Sequence, residues 1–105
     1  MEIRNLTPHI LNLISVDGST VNIQPSGTVA RVSAKTETVG NVNGIAVTKS
    51  VFGDVIDLPA AVDGVVLVVS RMVKDRVADR ADVMVPGAPV RNADGQIIGA
   101  NGLSL

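Results

Sequence analysis

The chain is short of the residues on which most chemistry depends. It contains no cysteine, no tryptophan and no tyrosine, and Phe52 is its single aromatic residue. Without cysteine there is neither a disulfide framework nor a thiolate nucleophile. His9 is the only histidine, and Glu2 and Glu37 are the only glutamates. A serine hydrolase needs hydroxyl, base and acid held together, and no G-x-S-x-G elbow occurs; Ser26 and Ser70 lie in no nucleophile context. A zinc site needs His or Cys partners for His9, and the sequence supplies none. Asp75, Asp79 and Asp82 are close enough in sequence for a hard cation. With Arg76 and Arg80 interleaved, however, their spacing suits a solvated helix face. An enzyme is therefore the last expectation, and no cofactor or metal is expected.

Charge of one sign is also missing. Nine Lys and Arg stand against ten Asp and Glu, a formal net charge of −1, with no basic or acidic block. A general nucleic-acid binder needs a basic face to displace counterions from phosphates, so that class is set aside. The start, Met1-Glu2-Ile3-Arg4-Asn5, lacks the basic-then-apolar run of a secretory leader. The longest apolar run, Val65 to Val69, is too short to span a bilayer. A cytoplasmic protein with no membrane partner is expected.

What the chain does have is branched aliphatic bulk. Hydrophobic residues make up 46% of its 105 residues, nearly all Val, Ile, Leu and Ala. Two heavy atoms on Cβ pack well on a pleated surface, so this core favours strands. The length fits a single β-rich domain over residues 1–105. A small domain buries a modest share of its surface, which makes a homo-oligomer the expected state.

The pattern along the chain predicts about eight short strands. Ile10–Val16 ends at Asp17-Gly18, a two-residue hairpin signal, and Thr20–Gln24 returns. Thr28–Ala34 follows Pro25-Ser26-Gly27. Lys35–Asn43 is polar and reads as a long loop or an exposed hairpin arm. Gly44–Val51 alternates, with Ile45, Val47 and Val51 on one side and Ala46, Thr48 and Ser50 on the other. Val55–Leu58 is short and stops at Pro59. After the Asp63-Gly64 turn, Val65–Val69 is apolar on both faces and reads as a central buried strand. Val69, Val73 and Val77 then recur at helical spacing, with Ser70 as N-cap, so one helix is placed near residues 70–80. Asp82–Val85 forms a strand that ends at Pro86-Gly87. Val90-Arg91 and Gln96-Ile97-Ile98 flank a turn at residues 92–95, a terminal hairpin. Gly99 and Gly102 allow tight turns or the close approach of another backbone, and Asn101-Gly102 is a further turn signal. The expected fold is mostly β (α+β), a small barrel-like or sandwiched antiparallel sheet with one short helix.

Strong donors outside runs of alternating charge mark the candidate ligand-binding residues: Ser70, Arg71, Arg91, Arg31, His9, Thr7 and Asn5. A helix start offers free N–H groups suited to phosphate or carboxylate, and arginine supplies a bidentate fork. Asn5, Thr7 and His9 could present polar groups at a sheet edge. The plainer alternatives are that Arg71 pairs with Asp75, and that Arg31 and Arg91 pair with Asp82 and Asp94. On the same reading, His9 caps backbone groups beside Pro8.

Asn5-Leu6-Thr7-Pro8-His9, Val69-Ser70-Arg71, Asp82-Val83-Met84-Val85-Pro86-Gly87, Val90-Arg91 and Asp94-Gly95-Gln96-Ile97-Ile98-Gly99 together resemble a family of small phage-encoded and bacterial proteins of unassigned function. The middle, Gly18 to Asp63, matches only in its spacing of Gly and Pro. Similar proteins are expected to carry cysteine where Ala100 stands, so no thiol role transfers. What the resemblance implies is context: small phage accessory proteins often interfere with host defence, and several sequester nucleotide signals. The leading expectation is a non-enzymatic, homo-oligomeric binding protein that sequesters a small anionic nucleotide-like ligand, in the host cytoplasm if phage-encoded. The alternatives are a structural or assembly protein of a phage particle, and a protein-binding inhibitor acting through a β edge.

Overall fold

The computed structural model describes residues 1–105 as eight strands and one helix. These are β1 (Glu2–Asn5), β2 (Leu11–Ile14), β3 (Thr20–Ile23), β4 (Arg31–Val42) and β5 (Ile45–Ile56). They are followed by β6 (Val65–Val68), α1 (Arg71–Arg76), β7 (Val83–Arg91) and β8 (Ile97–Ser104). Six strands form one sheet in the order β1-β6-β7-β8-β2-β3, and β4-β5 form a second, two-stranded sheet. The six-stranded sheet curls until its two outer strands meet. Asn5 at the end of β1 bridges to Pro25 just beyond β3, which leaves a nearly closed barrel. The expected mostly β, barrel-like domain with one short helix is what forms.

Its pairing is mixed rather than antiparallel throughout. β1–β6, β6–β7 and β2–β8 are parallel, while β2–β3 and β7–β8 are hairpins. Turn signals reveal hairpins only, whereas parallel partners are joined by long crossovers that leave no local mark. Here α1 is the crossover between β6 and β7.

β6 is buried on both faces, as its unbroken apolar run predicts. Leu67 and Val69 point to a cluster with Leu6, Ala30, Val73, Val83 and Val85 under α1 and the root of the β4–β5 arm. Val68 points to the opposite side, where it packs with Leu11 and Leu13 inside the barrel.

The helix is shorter than its apolar spacing implies. It stops at Arg76 because Lys74, only 4% exposed, turns its ammonium onto the carbonyls of Ala78 and Arg80. That cation takes the role of a C-terminal cap. Arg80 then holds Asp82 through two hydrogen bonds of 3.1 and 2.7 Å and donates a third to the Pro59 carbonyl at 3.1 Å. The Arg80 hydrogen bond keeps the Asp82 carboxyl below the usual carboxylate range, against the opposing effect of its desolvation.

Several boundaries differ from expectation for local reasons. β1 itself, four residues long, carries no turn signal before it and is not legible as a strand. The β2–β3 connection uses Val16-Asp17-Gly18 rather than two residues, and the Gly18 N–H bonds Ser15 O. Asp17 holds the loop by accepting hydrogen bonds from the Ser15 hydroxyl and from the Ser19 hydroxyl and N–H. Those bonds, led by Ser15, hold the Asp17 carboxyl well below the usual carboxylate range.

The two segments expected as separate strands, Gly44–Val51 and Val55–Leu58, merge into one strand, β5 (Ile45–Ile56), and the polar stretch from Lys35 to Val42 is the outer part of β4. Asn43 (φ 51°) and Gly44 (φ 80°) close this arm in a two-residue turn with positive φ at both positions, the geometry that matches strand twist. β7 runs through Pro86-Gly87 instead of ending there. Its pairing with β6 stops at Met84, so the missing N–H groups of Pro86 and Pro89 fall where no β6 strand needs them. Asn101-Gly102 likewise lies within β8 rather than in a turn. No helix is long and apolar enough to cross a membrane.

Candidate functional site

An open groove of about 630 Å³ lies beside the Thr7-Pro8-His9 bend. Four pieces of chain frame it: the Thr7-Pro8-His9 bend with the start of β2, the Val69-Ser70 junction, Pro86 to Pro89 on β7, and Ile97 to Ala100 on β8. Its walls are mainly aliphatic, and Ile10, Ile97 and Ile98 are each half or more exposed along them. Gly99 is what lets β8 lie against β2 here. A Cβ at that position would come within 2.7 Å of the Asn12 carbonyl oxygen.

Asn5 fixes the bend that forms one wall. Its side chain is buried, and its Nδ2 donates to the carbonyls of His9 (2.6 Å) and Ile23 (3.1 Å). Its Oδ1 accepts from the Thr7 N–H (2.9 Å) and the Thr7 hydroxyl (2.6 Å). The Thr7 oxygen in turn accepts the His9 N–H at 3.3 Å. Every polar atom of Asn5 is thus engaged within the protein, which makes it a positioning residue with nothing left for a ligand. Pro8 contributes a fixed φ at the exposed tip of the bend. The His9 side chain is exposed at the groove, and no side chain hydrogen-bonds its imidazole.

The structure brings Thr7, His9 and Ser70 together on this groove, and it places the other candidates differently. Ser70 is the N-cap residue of α1, with extended φ and ψ, but its hydroxyl makes no capping bond and is exposed. Arg71 follows it and reaches Asp75 at 3.8 Å, an exposed pair at i,i+4 spacing. Such a pair is worth about 0.3–0.5 kcal/mol, weak enough for a bound anion to take over the guanidinium.

Arg91 sits at the β7–β8 turn and donates to the Gly95 carbonyl at 2.8 Å, not to Asp94. Arg31 lies at the root of the arm, 3.9 Å from Asp57 rather than beside Asp82, whose partner is Arg80. None of Arg31, Arg71 and Arg91 is among the residues that line the groove; Arg71 is the one adjacent in sequence to a lining residue, Ser70.

The groove's apolar half was missed from sequence. Pro86, Pro89, Ile97 and Ile98 read there as strand ends and hairpin arms, and only the parallel β2–β8 contact turns them toward Thr7 and His9. The two prolines and one glycine of Pro86-Gly87-Ala88-Pro89 were the one available signal. No group of three or more His, Cys, Asp or Glu side chains is placed to hold a metal ion. No family model matches the chain, and no curated protein or solved structure matches it.

Proposed function

We propose that the chain is a non-enzymatic binding protein whose groove takes a small anionic, nucleotide-like ligand. The observation that carries this reading is the groove itself. At about 630 Å³ it lies within the roughly 300–1,000 Å³ typical of small-molecule sites, with aliphatic walls and a few polar groups converging at one side. His9 and Ser70 supply imidazole and hydroxyl partners for ribose or phosphate oxygens, while the Thr7 hydroxyl is held within the bend. Arg71, outside the lining but next to Ser70 and weakly held by Asp75, is the nearest cation in sequence and would have to leave Asp75 to supply the charge. Pro86, Ile97 and Ile98 offer flat aliphatic surface to a base, in place of the aromatic ring the chain lacks.

A binding role rather than catalysis is favoured by the isolation of His9. Its imidazole is bonded to no carboxylate that could orient it as a base. Sequestration of a nucleotide signal, as in phage proteins that blunt host defence, is the role that fits a stoichiometric binder of this size. The inhibitor reading is less well supported, because β1 and β3, the outer strands of the main sheet, are tied together through Asn5. A structural or assembly module is the second reading, and the projecting β4–β5 arm favours it.

Calorimetric titration with a panel of linear and cyclic nucleotides tests the ligand. Binding by the wild type, weakened by about 1.5–3 kcal/mol in Arg71→Ala and only partly restored in Arg71→Lys, is the expected outcome. Ile98→Asp should abolish binding without unfolding the chain, since Ile98 is half exposed. If the wild type binds none of the panel, the nucleotide reading falls. If Ile98→Asp binds as the wild type does, the groove is not the site.

A further inference from the structure

The β4–β5 arm is patterned for burial and is not buried. Residues directly opposite in an antiparallel pair share a face. The register places Val42 opposite Ile45, Gly40 opposite Val47, Glu37 opposite Lys49, Lys35 opposite Val51, and Val32 opposite Val55. Val42, Ile45, Val47 and Val51 therefore share one face of the arm with Lys35, Glu37 and Lys49, while the register shift between Val32 and Ala34 turns Val32 and Val55 to the other face. The opposite face carries Thr36, Thr38, Thr48 and Ser50 along the outer arm, and Ala34 and Phe52 nearer the root. Such alternation is the signature of a sheet with one face covered.

The main core covers the arm only at its root, where Val32 and Val55 of the other face pack against it. At the outer end Val42 is 60%, Ile45 71% and Val47 40% exposed. Gly40, opposite Val47, has open space where a side chain would stand. A two-stranded ribbon left this way is marginally stable in water, yet both strands run for twelve residues.

The shape of the whole chain agrees. Its surface is 6925 Å², against about 5,500 Å² for a compact monomer of its mass. Its radius of gyration is 17.2 Å, against about 13 Å for a compact domain of this length. The surplus surface exceeds the roughly 800 Å² per partner that a stable interface buries.

We propose that the apolar outer face of the β4–β5 arm, formed by Val42, Ile45 and Val47, is where a second copy of this chain docks. A second copy fits the chemistry because the stripe is self-complementary. Its apolar end needs only another apolar surface, and at mid-arm the exposed Lys35–Glu37 pair, 3.6 Å apart, and Lys49 offer both signs of charge that a two-fold copy can exchange. A two-fold arrangement covers both arms at once and closes the assembly. The interface is independent of what the groove binds, so nucleotide titration and assembly state can fail separately.

Sedimentation equilibrium at micromolar concentration reads the result. The wild type should be a dimer or larger, and Ile45→Glu with Val47→Glu should weaken assembly by about tenfold or more while thermal unfolding of the body is retained. Thr48→Glu with Ser50→Glu, on the other face, should assemble as the wild type does. The natural absence of cysteine allows a second test that does not depend on the charged variant folding. Under mild oxidation Val47→Cys should give a covalent dimer and Thr48→Cys should not. A monomeric wild type overturns the proposal, including the case in which a different protein covers the arm. So does unchanged assembly in the charged variant, or cross-linking that is equal at the two positions.

Discussion

The Asn5 side chain donates to the main-chain carbonyl of Ile23 at 3.1 Å, and this bond spans the seam where the six-stranded sheet almost closes on itself. The same nitrogen holds the His9 carbonyl and the same side-chain oxygen holds Thr7. One buried amide therefore ties β1 to the end of β3 and sets the bend that walls the groove.

Replacing it should be costly. Asn5→Ala strands a buried N–H and leaves carbonyls unpaired at a loss of about 1–3 kcal/mol each, so a fall in thermal midpoint of about 10 °C or more is expected. Asn5→Asp keeps the acceptor bonds but turns a carboxylate toward the carbonyls of His9 and Ile23. Burial and those carbonyls raise the folded-state pKa of the introduced carboxyl. Its stability is then present below the unfolded value of about 3.9 and lost as pH rises through the folded value. Thermal melts of the three proteins across acid pH check this, and a wild-type midpoint for Asn5→Ala would remove the amide from the closure.

Arg80 and Asp82 predict a pH effect of the opposite sign. Asp82 has a lowered folded pKa, so its stabilising contribution is present above the unfolded value of about 3.9 and lost as pH falls through the folded one. In Asp82→Asn the acid limb of the stability curve should be shallower, and stability at neutral pH should drop by about 1–3 kcal/mol. Denaturant unfolding between neutral and acid pH measures both. An unchanged acid slope would mean the ion pair does not form in solution.

Leu67, 2% exposed at the centre of the larger core cluster, tests the two-sided burial of β6. Leu67→Ala should cost about 2–5 kcal/mol, and Leu67→Asp should prevent folding because the buried charge has no partner. Circular dichroism and solubility of the purified variants decide it. A folded Leu67→Asp chain would place the strand at the surface.

Much of the architecture was legible from local chemistry. The alternation of Gly44 to Val51, the two-faced run Val65 to Val69 and the turn at residues 92–95 each specify their own conformation. Asn43-Gly44 carries a turn signal of the same kind, unused where Lys35–Asn43 reads as a long loop or exposed arm, and it is the tip of the hairpin. Lys74 was not legible as a helix terminator. Its role depends on burial that brings its ammonium to the carbonyls of Ala78 and Arg80, and spacing alone cannot report that.

The candidate site divides along the same line. By itself the sequence determined that the chain would be a branched-aliphatic β domain, poor in catalytic side chains, with a helix start at Ser70 and a proline bend at Thr7-Pro8-His9. These follow from backbone preferences and composition, which act over a few residues. Only the tertiary structure decided that Thr7, His9 and Ser70 face one groove with Ile97 and Ile98, and that Arg31, Arg71 and Arg91 lie outside its lining. Those neighbours are set by the parallel pairings β1–β6, β6–β7 and β2–β8 and by the Asn5 seam. Parallel partners are chosen by how well distant surfaces pack, and that free energy belongs to the assembled core rather than to any one segment.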